Sequence, residues 1–175
     1  MVIGLKLNPV SRPYVMSAPE TVQEIIVGLE AAGIKRKDIV VYDRYKKEFY
    51  EAGFDKWLPD DVRVAYAADY YDDTQQKLDG YDTDHYMDMQ LTLPGYDFNN
   101  ERARRSYASQ FITKQVDKLV NLALLKHHQS AGLTVALKNM SHGLVNNVNR
   151  SHSSPTLNSC GQFIPTSVSI PAIRN

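Results

Sequence analysis

Two short apolar runs with a bounded helix between them constrain the fold most. Residues 2–7 (VIGLKL) end at Asn8-Pro9, a turn signal, and residues 39–42 (IVVY) form the second run. Continuous short apolar runs are the pattern of strands buried on both faces of a sheet. Between them Ser17 stands three residues before Glu20, with Pro19 in the first turn, as a capping box requires. Val22, Ile25, Ile26, Leu29 and Ala32 follow at helical spacing, and Gly33 supplies a C′ stop. Strand, helix and strand with short links form a βαβ unit, which implies parallel strands and a right-handed crossover. The expected class is therefore α/β. We expect a mainly parallel open sheet with flanking helices, a Rossmann-like βαβ start and one domain over residues 1–175.

In such sheets the ligand site lies at the C-terminal ends of the strands. Asp43 follows the second run and is a candidate site acid; the plainer alternative is a cap on the next helix. Residues 46–52 read as a short helix ended by Gly53, and residues 62–66 (VRVAY) as a third strand. Residues 69–97 form an irregular insertion rich in Asp and Tyr. Their Asp spacing lacks the Gly and terminal Glu of an EF-hand loop. Asp82-Thr83-Asp84-His85 is a candidate cation grip, although a solvated excursion is the plainer expectation. Within the insertion, residues 87–93 are expected to form one strand of an antiparallel hairpin. Residues 100–109 read as an exposed polar face carrying Arg102, Arg104 and Arg105, and residues 111–114 as extended. Residues 116–125 (VDKLVNLALL) read as a strand that delivers a polar cluster at its C-terminal end. Residues 130–137 are expected to open a helix capped by Ser130, residues 146–158 are turn-rich, and residues 163–173 are a broken helix or irregular packed segment with Pro165 and Pro171.

Charge is balanced overall but not along the chain. Residues 51–100 hold 12 acids and 3 bases, whereas residues 101–150 hold 2 acids and 8 bases. A general nucleic-acid binder would show a net basic footprint, so none is expected as a partner. The one cysteine, Cys160, excludes an internal disulfide framework and an iron–sulfur cluster held within this chain. No apolar run reaches the roughly 18 residues of a membrane span. The chain starts in a core-like run and stops without a polar tail, so both ends read as cut and the domain as incomplete.

Four of the five histidines, His127, His128, His142 and His152, fall in residues 119–154, with Lys126, Lys138 and five asparagines. From Lys118 onward there is no Asp or Glu. Such a stretch suits a small anionic ligand, a cofactor bearing phosphate or carboxylate, or a metal held by nitrogen. A polar loop between buried elements is the plainer reading. If residues 126–128 are extended, the adjacent imidazoles point to opposite faces, and His128 is the one assigned to the site. His128 then serves as acid or base near neutral pH, and Lys126 or Lys138 binds the anion or acts as a nucleophile. The histidine separations match neither an i, i+4 pair nor a zinc-finger spacing, so a metal site needs tertiary folding. No GxSxG is present, and no acid of this stretch can orient a histidine for a serine triad.

Here a resemblance becomes specific. An apolar run followed by Lys126-x-His128, Ala131-Gly132-x-Thr134, Leu137-Lys138-Asn139 and Gly143 resembles the core signature of the family catalogued as domain of unknown function 362. The opening run, ending in Lys6-x-Asn8, resembles that family's first strand, and helix and second strand follow in its order. The likeness covers nearly the whole chain. It implies a longer domain continuing into an Asp-Gly strand, with twin-arginine export signals or ferredoxin-like cysteine clusters in some relatives; neither feature lies in this sequence. The compartment is left open.

A local likeness to the nickel-pincer lactate racemase family also exists. His128, Ala131-Gly132 and Lys138 reproduce the order of that family's proton-transfer His, Ala-Gly pair and cofactor-bearing Lys. The later His, a nickel ligand there, corresponds to His152, with His142 as the alternative. That family's substrate-binding Asp-x-Thr-Arg-Pro motif has no counterpart here. The resemblance implies nickel or another divalent metal held by His152 or His142.

Together these features predict an enzyme or part of one acting on a small anionic substrate. His128, Lys138 and Asp43 would be catalytic, and Lys126, Lys138, Asn139 and Gly132 would hold a cofactor. Two alternatives remain open: a non-catalytic ligand- or metal-binding module of an electron-transfer system, and a truncated product without its own activity.

Overall fold

In the computed structural model, which describes residues 1–152 and 159–174, the two apolar runs become β1 (Ile3–Lys6) and β2 (Ile39–Tyr45), linked through α1 (Pro19–Ala31). The strands are parallel, with Ile3 opposite Ile39 and Lys6 opposite Tyr42. α2 (Lys46–Glu51) leads to β3 (Arg63–Ala68), parallel to β2. The chain then leaves the sheet for an antiparallel pair, β4 (Tyr81–Asp88) and β5 (Arg105–Ser109), with α3 (Glu101–Arg104) just before β5. It returns as β6 (Lys118–Asn121), parallel to β1, completing a four-stranded sheet of order β3-β2-β1-β6. The expected α/β class with a parallel sheet and flanking helices holds.

Alternation along each strand distributes the core. Ile3, Leu5, Leu7, Ile39 and Val41 face α1 and α2, packing with Val22, Ile26, Phe49 and Phe54. Val40, Tyr42, Ala65 and Ala67 face the other way, against Tyr81, Tyr107, Phe111 and Leu144. Tyr42 stacks on Phe111 with ring centroids 4.2 Å apart. Each such side chain contributes about 1.5–3 kcal/mol when fully buried. No helix among the described residues is long and apolar enough to cross a membrane.

Several local expectations are corrected. Ser17 does not cap α1, whose N-cap is Ala18. Its hydroxyl instead accepts from the Asn8 amide at 2.9 Å and donates to the Leu122 carbonyl at 3.0 Å, joining the ends of β1 and β6. Asp43 does not cap α2 by side chain either; it pairs with Lys6. The antiparallel strand lies at 81–88 rather than 87–93. Residues 105–109 are a buried strand, because polar partners satisfy them: Arg150 donates to Ser106 Oγ at 2.8 Å, and Asn146 Oδ1 accepts from the Tyr107 amide at 2.7 Å. Residues 111–115 form a single π-helical turn rather than an extended segment. In the insertion, Asp82 is buried and pairs with His85 and Lys114.

The run 116–125 is a strand only as far as Asn121. Lys126-His127-His128 is a separate strand, β7 (Lys126–His128), in a hairpin with β8 (Gly132–Thr134). Residues 130–135 are thus a tight turn and strand, and the helix starts later than expected, as α4 (Ala136–His142). Gly132 supplies a φ of +74°, which a continuing helix does not tolerate. α5 (Asn149–His152) follows, and residues 153–158 of the turn-rich stretch lie outside the described residues. Residues 163–173 fall in α6 (Ser159–Ser167), which contains Pro165, and α7 (Pro171–Arg174).

Candidate functional site

A cavity of about 290 Å³ opens beyond the C-terminal ends of β1 and β2. Its floor is Lys6, Asn8, Asp43 and Arg44 from the strand ends. Lys126, His128 and Thr134 of the hairpin form one wall, and Lys138, Asn139, His142 and Gly143 of α4 form another. His152 of α5, with Gln75 and Tyr71 of the insertion, closes the rim. The strand-end position follows from the parallel topology. The hairpin and α4 reach it because β6 runs beside β1 and ends at the same level.

Most charged groups of the floor are already engaged. Lys6 Nζ lies 3.2 Å from Asp43 Oδ1, and both side chains are 3% exposed. Burial lowers the Lys6 pKa from 10.5, and the Asp43 charge opposes that shift. Asp43 Oδ2 accepts from the Tyr45 amide at 3.3 Å. Arg44 is buried and spends its guanidinium on Tyr81 Oη, the His142 carbonyl and Gln75 Oε1, at 3.2, 3.1 and 3.0 Å. Lys126 donates to Asn8 Oδ1 and the Val10 carbonyl. Asn139 donates to Asn121 Oδ1 at 2.7 Å, tying α4 to β6.

Lys138 differs from these. It is half-buried on the cavity wall, and its ammonium has no hydrogen-bond or ion-pair partner among the described residues. Burial pulls its pKa down to about 8, with the Lys126 and Arg44 charges adding to the shift and Cys160 opposing it.

Hydrogen bonds assign the histidine tautomers. His128 Nδ1 accepts from the backbone amides of Ser130 and Ala131, at 3.2 and 3.1 Å. Its ring proton therefore sits on Nε2, so the neutral ring offers a donor rather than a base. Burial, and then the Lys138 charge, hold its pKa down at about 4. His152 Nδ1 donates to the Val148 carbonyl at 3.2 Å, which leaves its Nε2 unprotonated. Burial lowers the His152 pKa to about 4 and the His142 pKa well below 6.5.

Gly143 matters for packing. A Cβ there would collide with the Asn139 backbone carbonyl and come within 2.6 Å of Lys6 Cε, so α4 can end against the buried lysine only without a side chain.

The structure thus brings His128, Lys138, Asp43, Lys126, Asn139, His142 and His152 to one cavity. Gly132 is exposed in the hairpin and does not line it. His127 is exposed. Sequence reasoning missed Arg44, Gln75, Tyr71 and Cys160. Cys160 is buried, and its Sγ lies 3.8 Å from His142 Nε2. Its sequence signal was a lone thiol in a stretch free of carboxylates.

Comparison with known proteins gives one match, to the family model described as Domain of unknown function (DUF362), over residues 3–164. No curated protein and no solved structure matches the chain.

Proposed function

The chain belongs to the DUF362 family, whose description assigns no activity, and from its own cavity we propose that it binds a small anionic substrate and acts on it through Lys138 and His128. The half-buried ammonium of Lys138, which has no partner among the described residues, carries this reading. A buried cation without a partner costs free energy, and an anion in the cavity offsets that cost. Around it the His128 ring, with its proton on Nε2, adds a second donor. A neutral imidazole held this way stabilises negative charge developing on an oxygen and can pass it a proton, an electrophilic role rather than that of a general base. Lys6 and Asp43 neutralise one another and Glu48 on the cavity wall lies 3.6 Å from the Arg12 guanidinium, so the remaining field in the cavity comes from Lys138, Lys126 and Arg44 and is positive.

Calorimetric titration of the full chain with inorganic phosphate, acetate and malonate tests the proposal. At least one anion is expected to bind, and Lys138→Ala to weaken it by about 10–100-fold, the worth of one charge-assisted hydrogen bond. Failure of all three anions to bind, or unchanged affinity in Lys138→Ala, would overturn the reading.

A further inference from the structure

His142, His152 and Cys160 come from three separate helices, yet one ligand atom from each lies within 4.8 Å of the other two. They sit where α4, α5 and α6 meet, and both histidines also line the cavity. We propose that these three side chains form a site for a divalent cation of the zinc class, with its remaining coordination position open to the cavity.

The second-sphere hydrogen bonding supports this independently of the clustering. Ser141 Oγ donates to the Lys138 carbonyl at 3.3 Å, so its lone pair faces His142 Nδ1 at 3.0 Å and takes the proton of that nitrogen. His142 Nε2 is then a bare lone pair in a buried position. Ser151 Oγ lies 3.0 Å from it, but that hydroxyl donates to the Val148 carbonyl at 2.7 Å. The Cys160 thiol has one proton and three acceptors within reach, the Ser151 carbonyl at 3.4 Å, Ser151 Oγ at 3.6 Å and His142 Nε2 at 3.8 Å. His152 repeats the arrangement, with Nδ1–H on the Val148 carbonyl and no hydrogen bond to Nε2 among the described residues. Imidazoles that ligate metals commonly anchor one nitrogen on a carbonyl or hydroxyl in this way and turn the other to the ion. A cation would satisfy Nε2 of His142 and the thiolate together, with the thiol proton released to solvent on binding.

Donor chemistry selects the ion. Two imidazoles and a thiolate suit zinc and its borderline-soft neighbours, whereas magnesium and calcium need oxygen ligands, and no Asp or Glu lies from Lys118 onward. Zinc–ligand bonds of about 2.0–2.3 Å place tetrahedral ligand atoms roughly 3.5 Å apart, so the set closes by a shift of about 1 Å. Lys138 lines the same cavity as both histidines, so an anion bound to the ion could also reach the ammonium. The metal site stands on its own side chains and holds whether or not the anion reading does.

The test uses metal alone. Cobalt(II) titrated into the metal-free full chain is expected to bind at one equivalent, with tetrahedral visible bands and a thiolate-to-cobalt band in the near ultraviolet. The chain has one cysteine, so that band reports Cys160. Zinc is expected to displace cobalt and raise the melting temperature. Cys160→Ser should lose the band, with zinc affinity falling by more than the about 10–100-fold typical of second-sphere losses. An octahedral spectrum without the band, or equal zinc affinity in Cys160→Ser, would overturn the proposal. If that variant does not fold, the presence or absence of the band in the unaltered chain decides.

Discussion

Lys6 at the end of β1 and Asp43 in β2 form an ion pair at 3.2 Å, with both side chains 3% exposed. Removing one partner of a buried pair leaves an uncompensated charge, which costs about 3–5 kcal/mol, whereas replacing both can be neutral. Asp43→Asn should therefore lower the urea midpoint strongly, and Lys6→Met added to it should restore most of the loss. Equal midpoints for Asp43→Asn and the parent would show that the pair does not hold the floor of the cavity.

Two glycines should respond in opposite directions to alanine. At Gly143 a Cβ would meet Lys6 Cε at 2.6 Å, so Gly143→Ala is expected to cost about 1–3 kcal/mol by overpacking. Gly28 lies within α1 with nothing within 4 Å of its Cβ position, so Gly28→Ala should stabilise by about 0.5–1 kcal/mol. Thermal melts of both variants read the signs directly.

Anion affinity should depend on pH through Lys138. Its pKa is pulled down to about 8, so the ammonium is present below that pH and lost above it. Acetate stays charged above about pH 6, so its affinity should be level between about pH 6 and 7 and fall above pH 8, by about 10–100-fold in all, to that of Lys138→Ala. Lys138→Arg stays charged and should remove the decline. A profile flat to pH 10 in the parent would count against Lys138 as the anion's partner.

The metal-free protein should lose stability as pH falls from 6.5 toward 4. Burial lowers the pKa values of His128 and His152 to about 4, and that of His142 well below 6.5. Above 6.5 these rings are neutral in both states and contribute nothing. Below it the unfolded chain takes up protons that the folded chain refuses, and stability declines. Urea unfolding at pH 7, 6 and 5 in the presence of a chelator should show this, with a shallower slope in His152→Gln. Equal slopes for parent and variant would be inconsistent with a neutral buried His152.

Local pattern was enough for the βαβ start, because continuous apolar runs and helical spacing are properties of neighbouring residues. It was also enough to single out 119–154, where Lys138, His128, His142 and His152 share a carboxylate-free stretch. It misjudged Ser17: the N-cap falls one residue later, at Ala18, and the Ser17 hydroxyl is engaged by the Asn8 amide and the Leu122 carbonyl. It misjudged 105–109 for a similar reason. Those polar residues are buried only because Arg150 and Asn146, some 40 positions away, satisfy them.

The class of the fold, the family and the stretch that gives the cavity its histidines and two of its lysines were legible in the local pattern. Only the packing of distant segments set Asp43 against Lys6, left Lys138 on the cavity wall without a partner among the described residues, and brought Cys160 to His142 and His152. The physical reason is that periodicity encodes which side of an element is buried. Whether a buried polar atom is satisfied depends on what distant segments bring to it, and no local pattern carries that information.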